Sequence, residues 1–309
     1  MAQLIDTIPT PQSITETFCQ TGYRDTPHSA HFAAAALTVE FFRKEQVLDP
    51  ELEMLVVTTE AQLIAWPELQ SPQPTTRGCE HDGHRNDLVK LMESSFSGLR
   101  RSGHAQILTT ALLKTVDQHG VQLSCEMLDG AEGLIEACGN EREEPRFINR
   151  RADYWADETA SPSSDRIDDV AIEVFDLFDS IQADTTIDGV KYFLNGEKLH
   201  AFTYLHALME CRALGMDNLV AKGLGSLSIQ TRLSKPVIED VPLLEIDLEA
   251  SNLDLMRTET WQEIVDYSGD LGIPHAIKRL YAIHRIKGSD YKSHLDTALP
   301  TLMTAIKNG

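Results

Sequence analysis

Apolar residues recur every three or four positions along most of the chain. Between Asp169 and Ile181 the residues Val170, Val174, Phe175, Phe178 and Ile181 share one side of a 3.6-residue helix. Comparable runs at about 28–45, 50–65, 87–101, 104–118, 125–138, 198–214, 217–233, 260–268, 274–287 and 291–307 bring the expected number of helices to roughly eleven. Punctuation agrees with this reading. Ser13 with Glu16 and Thr260 with Glu263 have capping-box spacing. Pro27, Gly103 and Pro274 sit at breaks before helices, and Gly120, Gly139 and Gly215 mark ends. β-Favouring residues gather only in ValValThrThr at 56–59 and from Lys235 to Leu248, so a parallel sheet is not expected.

Two stretches break the helical pattern. Leu69 to Asn86 contains Pro72, Pro74, Gly78 and Gly83, and Gly139 to Asp165 mixes charge with Tyr154 and Trp155 before ThrAlaSerProSerSer. Helices of the same character stand on both sides of the second stretch. The expectation is therefore one helical domain over 1–309, with a long crossing loop at about 139–165.

Four helix openings look alike. ProHisSerAlaHisPhe begins at Pro27, GlyHisAlaGln at Gly103, LeuHisAlaPhe at Leu199 and ProHisAlaIle at Pro274. The successive intervals His28 to His104, His104 to His200 and His200 to His275 are 76, 96 and 75 positions, as a degenerate unit of about three helices with one insertion would produce. Helical geometry places Ile107, Leu108 and Ala111 on the face of His104, and Thr203, Tyr204, Ala207 and Cys211 on that of His200. His28 shares its face with His31, Phe32 and Ala35, and these faces are expected to look inward. His275 has Lys278 and Arg279 above it, which points to a polar cavity or to water.

If repeat-equivalent openings fall at one end of a closed or curved array, their imidazoles converge on one mouth. The positive end of a helix dipole favours a neutral ring, which ligates a metal or accepts a proton. The candidate catalytic groups are His104, His200, Tyr204 and His275, and the candidate metal ligands are His28, His31, His104 and His200. A divalent metal ion is the candidate cofactor. The bland alternative is that a first-turn histidine bonds a preceding loop.

Numerous helices, hairpin-like pairing and small-residue helix openings resemble the α/α-toroid architecture of terpenoid-cyclase-like and related six-hairpin proteins. The resemblance implies an all-α array of helical hairpins, closed or curved around a cavity. It does not choose a function, because that architecture serves enzymes on isoprenoids and glycans as well as binding modules. Neither an aspartate-rich cyclisation motif nor the zinc signature of protein prenyltransferases is present, so no family residue is carried over.

Charge narrows the partners. Against 27 Lys and Arg stand 48 Asp and Glu, a net charge of -21, which repels phosphate backbones and anionic membranes. Neither nucleic acid nor membrane is an expected partner. Five cysteines at irregular spacing without CxxC, and a first segment lacking a leader-like apolar run, fit a reducing cytoplasm. CysGluHisAspGlyHis at 79–84 has ligand chemistry but no companion pair, and reads as a solvated loop. Arg150, Arg151, Tyr154 and Trp155 concentrate cations and aromatics in an acidic chain, which suits an anionic or aromatic substrate or an interface. Together these features point to an enzyme on a small organic molecule in a helix-lined cavity, with clustered histidines as metal ligands or acid–base groups and the 139–165 loop as lid. A non-catalytic helical-repeat scaffold for protein partners would share the same helix pattern.

Overall fold

The computed structural model of the chain describes residues 9–23, 28–70, 85–96, 98–99, 101–140, 166–266 and 272–308. These are mostly helical. In chain order come α1 (Pro11–Gln20), α2 (Ala30–Glu45), α3 (Pro50–Ile64), α4 (Pro67–Gln70), α5 (Arg85–Ser95), α6 (His104–His119), α7 (Cys125–Asn140) and α8 (Ile167–Asp176). After strands β1 (Thr185–Ile187) and β2 (Val190–Tyr192) follow α9 (Leu194–Ala213), α10 (Asp217–Ser234), α11 (Thr258–Asp266), α12 (Gly272–Lys287) and α13 (Lys292–Asn308). No described helix is long and apolar enough to cross a membrane.

The expected helices form close to their expected bounds, and the departures are local. The box at the start of α1 joins Thr10 to Ser13 rather than Ser13 to Glu16, because Pro11 starts the helix three residues earlier. Thr260 lies inside α11, where its hydroxyl accepts from the amide of Asp254 at 2.9 Å. Gly120 and Gly215 end α6 and α9 with φ of 63° and 73°, whereas Gly139 lies within α7. Val56 to Thr59 belong to α3. The two strands form an antiparallel hairpin whose turn is Asp188-Gly189, with φ of 51° and 80°. Cys19, Cys138 and Cys211 are buried free thiols, but Cys125 is disulfide-bonded, so the cysteines are not a uniformly reduced set.

The chain divides into two compact units that alternate along the sequence. Unit 1 is Met1–Met92, Leu108–Asn140 and Asp254–Tyr281; unit 2 is Glu93–Ile107, Glu141–Leu253 and Ala282–Gly309. In unit 1, α1 packs on α2 and α7, and α2 forms a hairpin with α3. In unit 2, α8 packs on α9 and α13, and α9 forms a hairpin with α10. Three packing pairs thus have counterparts in the two units: α1–α2 with α8–α9, α2–α3 with α9–α10, and α1–α7 with α8–α13.

Each unit has one helix buried nearly all round. Every residue of α2 from Ala30 to Phe42 is buried, as are most of α9 from Asn195 to Cys211. Small residues permit the closest approach in unit 1. A β-carbon at Gly130 of α7 would stand 2.2 Å from the carbonyl oxygen of Cys19, and one at Gly22 would stand 1.6 Å from that of Gly130. Only glycine fits there.

Candidate functional site

Each unit brings two imidazoles together. In unit 1, His31 on the first turn of α2 and His275 on the first turn of α12 have ring centroids 4.5 Å apart at 40°. Their ligating atoms lie within 4.8 Å of one another. In unit 2, His104 opens α6 and meets His200 of α9, again with centroids 4.5 Å apart, at 59°. His31 and His104 are each 5% exposed, while His275 and His200 are half-buried.

The two pairs are related by nearly equal offsets in sequence. His31 and His200 are 169 positions apart, and His104 and His275 are 171. Each pair thus takes one ring from the first half of the chain and one from the second. The helix expected to open at Leu199 starts instead at Leu194, so His200 is its seventh residue and lies beyond the first turn, and sequence spacing did not show which rings would meet.

Their surroundings differ. In unit 1 the Nζ of Lys278 is 2.6 Å from Nδ1 of His31. Burial, and then the neighbouring Arg279, hold that ammonium well below its usual pKa, although Lys278 as a residue keeps some exposure. Lys278 therefore turns to His31, and Arg279 is buried, in place of the open polar face expected above His275. Beside this pair in sequence lies an apolar cavity of about 460 Å³, lined among others by Phe32, Leu63, Trp66 and Ile273.

In unit 2 the segment before His104 is held by polar contacts. The Ser102 hydroxyl donates to Oε2 of Glu197 at 2.5 Å, and Nε2 of Gln230 donates to the Ser102 carbonyl at 3.2 Å. Glu197 precedes His200 by three residues, so both lie on one face of α9. Tyr204, one turn further, is fully buried. Its ring meets Phe96 edge-on at 6.5 Å, and burial pushes its phenol pKa up, so it keeps its proton.

His28 differs from the inward-facing expectation: it is exposed in the turn before α2, where its carbonyl accepts from the amide of His31. The helix starts two residues later than its pattern implied, which moves His31 into the first turn. Arg150, Arg151, Tyr154 and Trp155, the 139–165 loop beyond Asn140, and Cys79, His81 and His84 lie outside the described residues.

Sequence reading passed over a second buried polar cluster in unit 1. Arg43 pairs with Glu40 at 2.7 Å and with the fully buried Glu60 at 3.2 Å. Burial raises the Glu60 carboxyl to about 8, against the lowering effect of Arg43. Nδ1 of His119 is 3.7 Å from Glu40, and burial, with Lys44, Arg43 and Lys114, lowers its pKa to about 4. Lys114 donates to the Tyr281 hydroxyl at 2.6 Å and pairs with Glu45 at 3.0 Å. The available signal was charge inside apolar runs: Glu40 in ThrValGluPhePhe and Lys114 in LeuLeuLysThrVal.

Comparison with protein-family models, with curated proteins and with solved structures finds no match to this chain.

Proposed function

We propose that the protein is an enzyme acting on a small organic molecule, with the His31–His275 pair of unit 1 binding a divalent metal ion. The observation that carries this reading is the approach of the two rings, 4.5 Å between centroids. Two imidazoles supply part of the nitrogen ligand set common in catalytic metal sites and leave positions open for water and substrate. When bound, such an ion polarises a substrate oxygen or acidifies a water. The chain's own contribution is positional, since both rings come from helix first turns, where the dipole favours the neutral, ligating imidazole.

A recess belongs to the same unit and the same two openings. Phe32 follows His31 and Ile273 precedes His275 by two residues, and both line the cavity. The His104–His200 pair is proposed to serve unit 2 in the same way, as metal ligands or as acid–base groups.

Elemental analysis of protein expressed with zinc, iron and manganese in the medium tests the proposal. Stoichiometric metal in the wild type, lost in His31→Ala and in His275→Ala while the far-ultraviolet spectrum is unchanged, is the expected result. The same measurement on His104→Ala and His200→Ala reads the second pair. Metal-free wild type, or metal retained in both unit 1 variants, overturns the proposal and favours the non-catalytic scaffold.

A further inference from the structure

The cavity of unit 1 limits what it can hold. At about 460 Å³ it falls within the range of small-molecule sites, roughly 300–1,000 Å³. Phe32 and Trp66 stack with centroids 4.4 Å apart at 17°, and of the two only Trp66 retains appreciable exposure, so the indole is the ring surface an incoming molecule meets. Leu63 and Ile273 extend the apolar wall, and among the described residues no charged side chain contributes to the lining. A charged ligand would lose its hydration there without a counter-charge.

Two polar groups remain. The Thr59 hydroxyl donates to the Leu55 carbonyl at 2.9 Å, which leaves its oxygen able to accept. Gln62 is exposed and offers both an amide donor and an acceptor. We infer that this cavity binds a neutral two-ring aromatic compound bearing one hydroxyl, amide or carbonyl group, its rings against Trp66 and its polar group towards Thr59 and Gln62. Flat aromatic surfaces gain from offset stacking beyond simple area burial, and one polar group per ligand matches the polar edge that Thr59 and Gln62 give the described wall.

The inference rests on the proposed function only where the ligand is called a substrate; binding itself requires no metal. Isothermal titration of the full chain with 2-naphthol, with and without prior chelation, tests it. Saturable one-to-one binding is expected in both states, weakened at least tenfold in Trp66→Leu and in Ala65→Trp, the latter placing a bulky ring at an exposed lining position without touching the core. Sodium 2-naphthalenesulfonate should bind at least tenfold more weakly than 2-naphthol. Unsaturable uptake, equal affinity in Ala65→Trp, or equal binding of the sulfonate or of 1-decanol would overturn the assignment. Wild type that carries no metal as expressed with zinc, iron and manganese, yet binds 2-naphthol, sinks the metal proposal and leaves this one standing.

Discussion

Ser102 donates its hydroxyl to Glu197 at 2.5 Å from a left-handed backbone conformation, φ 53° and ψ 30°, while fully buried. That conformation is costly for any residue with a β-carbon, by roughly 1–2 kcal/mol. At this strained position its hydroxyl ties the opening of α6 to α9, the two helices that bring His104 to His200.

Two substitutions separate the strain from the bond. Ser102→Ala removes the donor and keeps the strain, and a loss of about 1–3 kcal/mol is expected. Ser102→Gly removes both, so it should be less destabilising than Ser102→Ala by about 1 kcal/mol. Urea unfolding midpoints of the two variants measure the difference; equal losses would show that the left-handed turn costs nothing.

Gly103 continues the turn at φ 78°, and a β-carbon there would stand 2.8 Å from Cδ1 of Tyr204. Gly103→Ala therefore combines backbone strain with displacement of a buried ring, and a loss of about 2–4 kcal/mol is expected. Shortening the obstacle should return part of it. In a double-mutant cycle with Tyr204→Leu, a favourable coupling of about 1 kcal/mol or more is the predicted reading.

The Glu60 and His119 shifts predict a stability profile with a bend. Glu60 has a folded pKa of about 8 against an ordinary 4.5, so between these values the folded state holds a proton that the unfolded chain has released. Its effect is that stability falls as pH rises, by up to roughly 1.4 kcal/mol per pH unit, and levels off above 8. His119 is lowered to about 4 from 6.5, so there the unfolded chain holds the extra proton and stability rises with pH. The two oppose each other between pH 4.5 and 6.5, leaving Glu60 alone from 6.5 to 8. Unfolding midpoints from pH 5 to 8 should decline mainly in the upper half. Glu60→Gln should flatten that decline, and His119→Gln should extend it downwards.

Helix positions could be read closely where apolar residues recur on one face, as in α8, and where Gly120 and Gly215 end α6 and α9. The strand pair escaped notice although Asp188-Gly189 is the turn dipeptide that hairpins favour, since three residues on either side are too few to show alternation. At the candidate site, spacing picked out His104, His200 and His275 but not their partners. Which rings meet depends on helix packing between segments up to 244 positions apart, as with His31 and His275. Nor did it show Lys278 beside His31 or Ser102 beside Glu197, which are contacts between helices rather than within one.

The buried charges around Lys114 belong to stability rather than to the imidazole pair, and their position on α2 shows why. His31 and Glu45 lie near opposite ends of that helix, fourteen residues and so about 21 Å apart along its axis. Lys114 is 1% exposed, pairs with Glu45 and donates to Tyr281, while the Tyr281 hydroxyl also donates to Glu45 at 2.9 Å. Removing one member of such a network leaves its opposite charge poorly compensated, at a cost of about 3–5 kcal/mol, whereas removing both charges costs far less. Lys114→Met should therefore lower stability by several times the experimental error, and Lys114→Met with Glu45→Leu should recover much of the loss. Below the unfolding transition both variants should retain the metal content of the wild type, because Glu45 lies about 21 Å along α2 from His31. A loss of metal in the folded Lys114→Met protein would mean that the two ends of α2 act as one site, and the division drawn between them would be wrong.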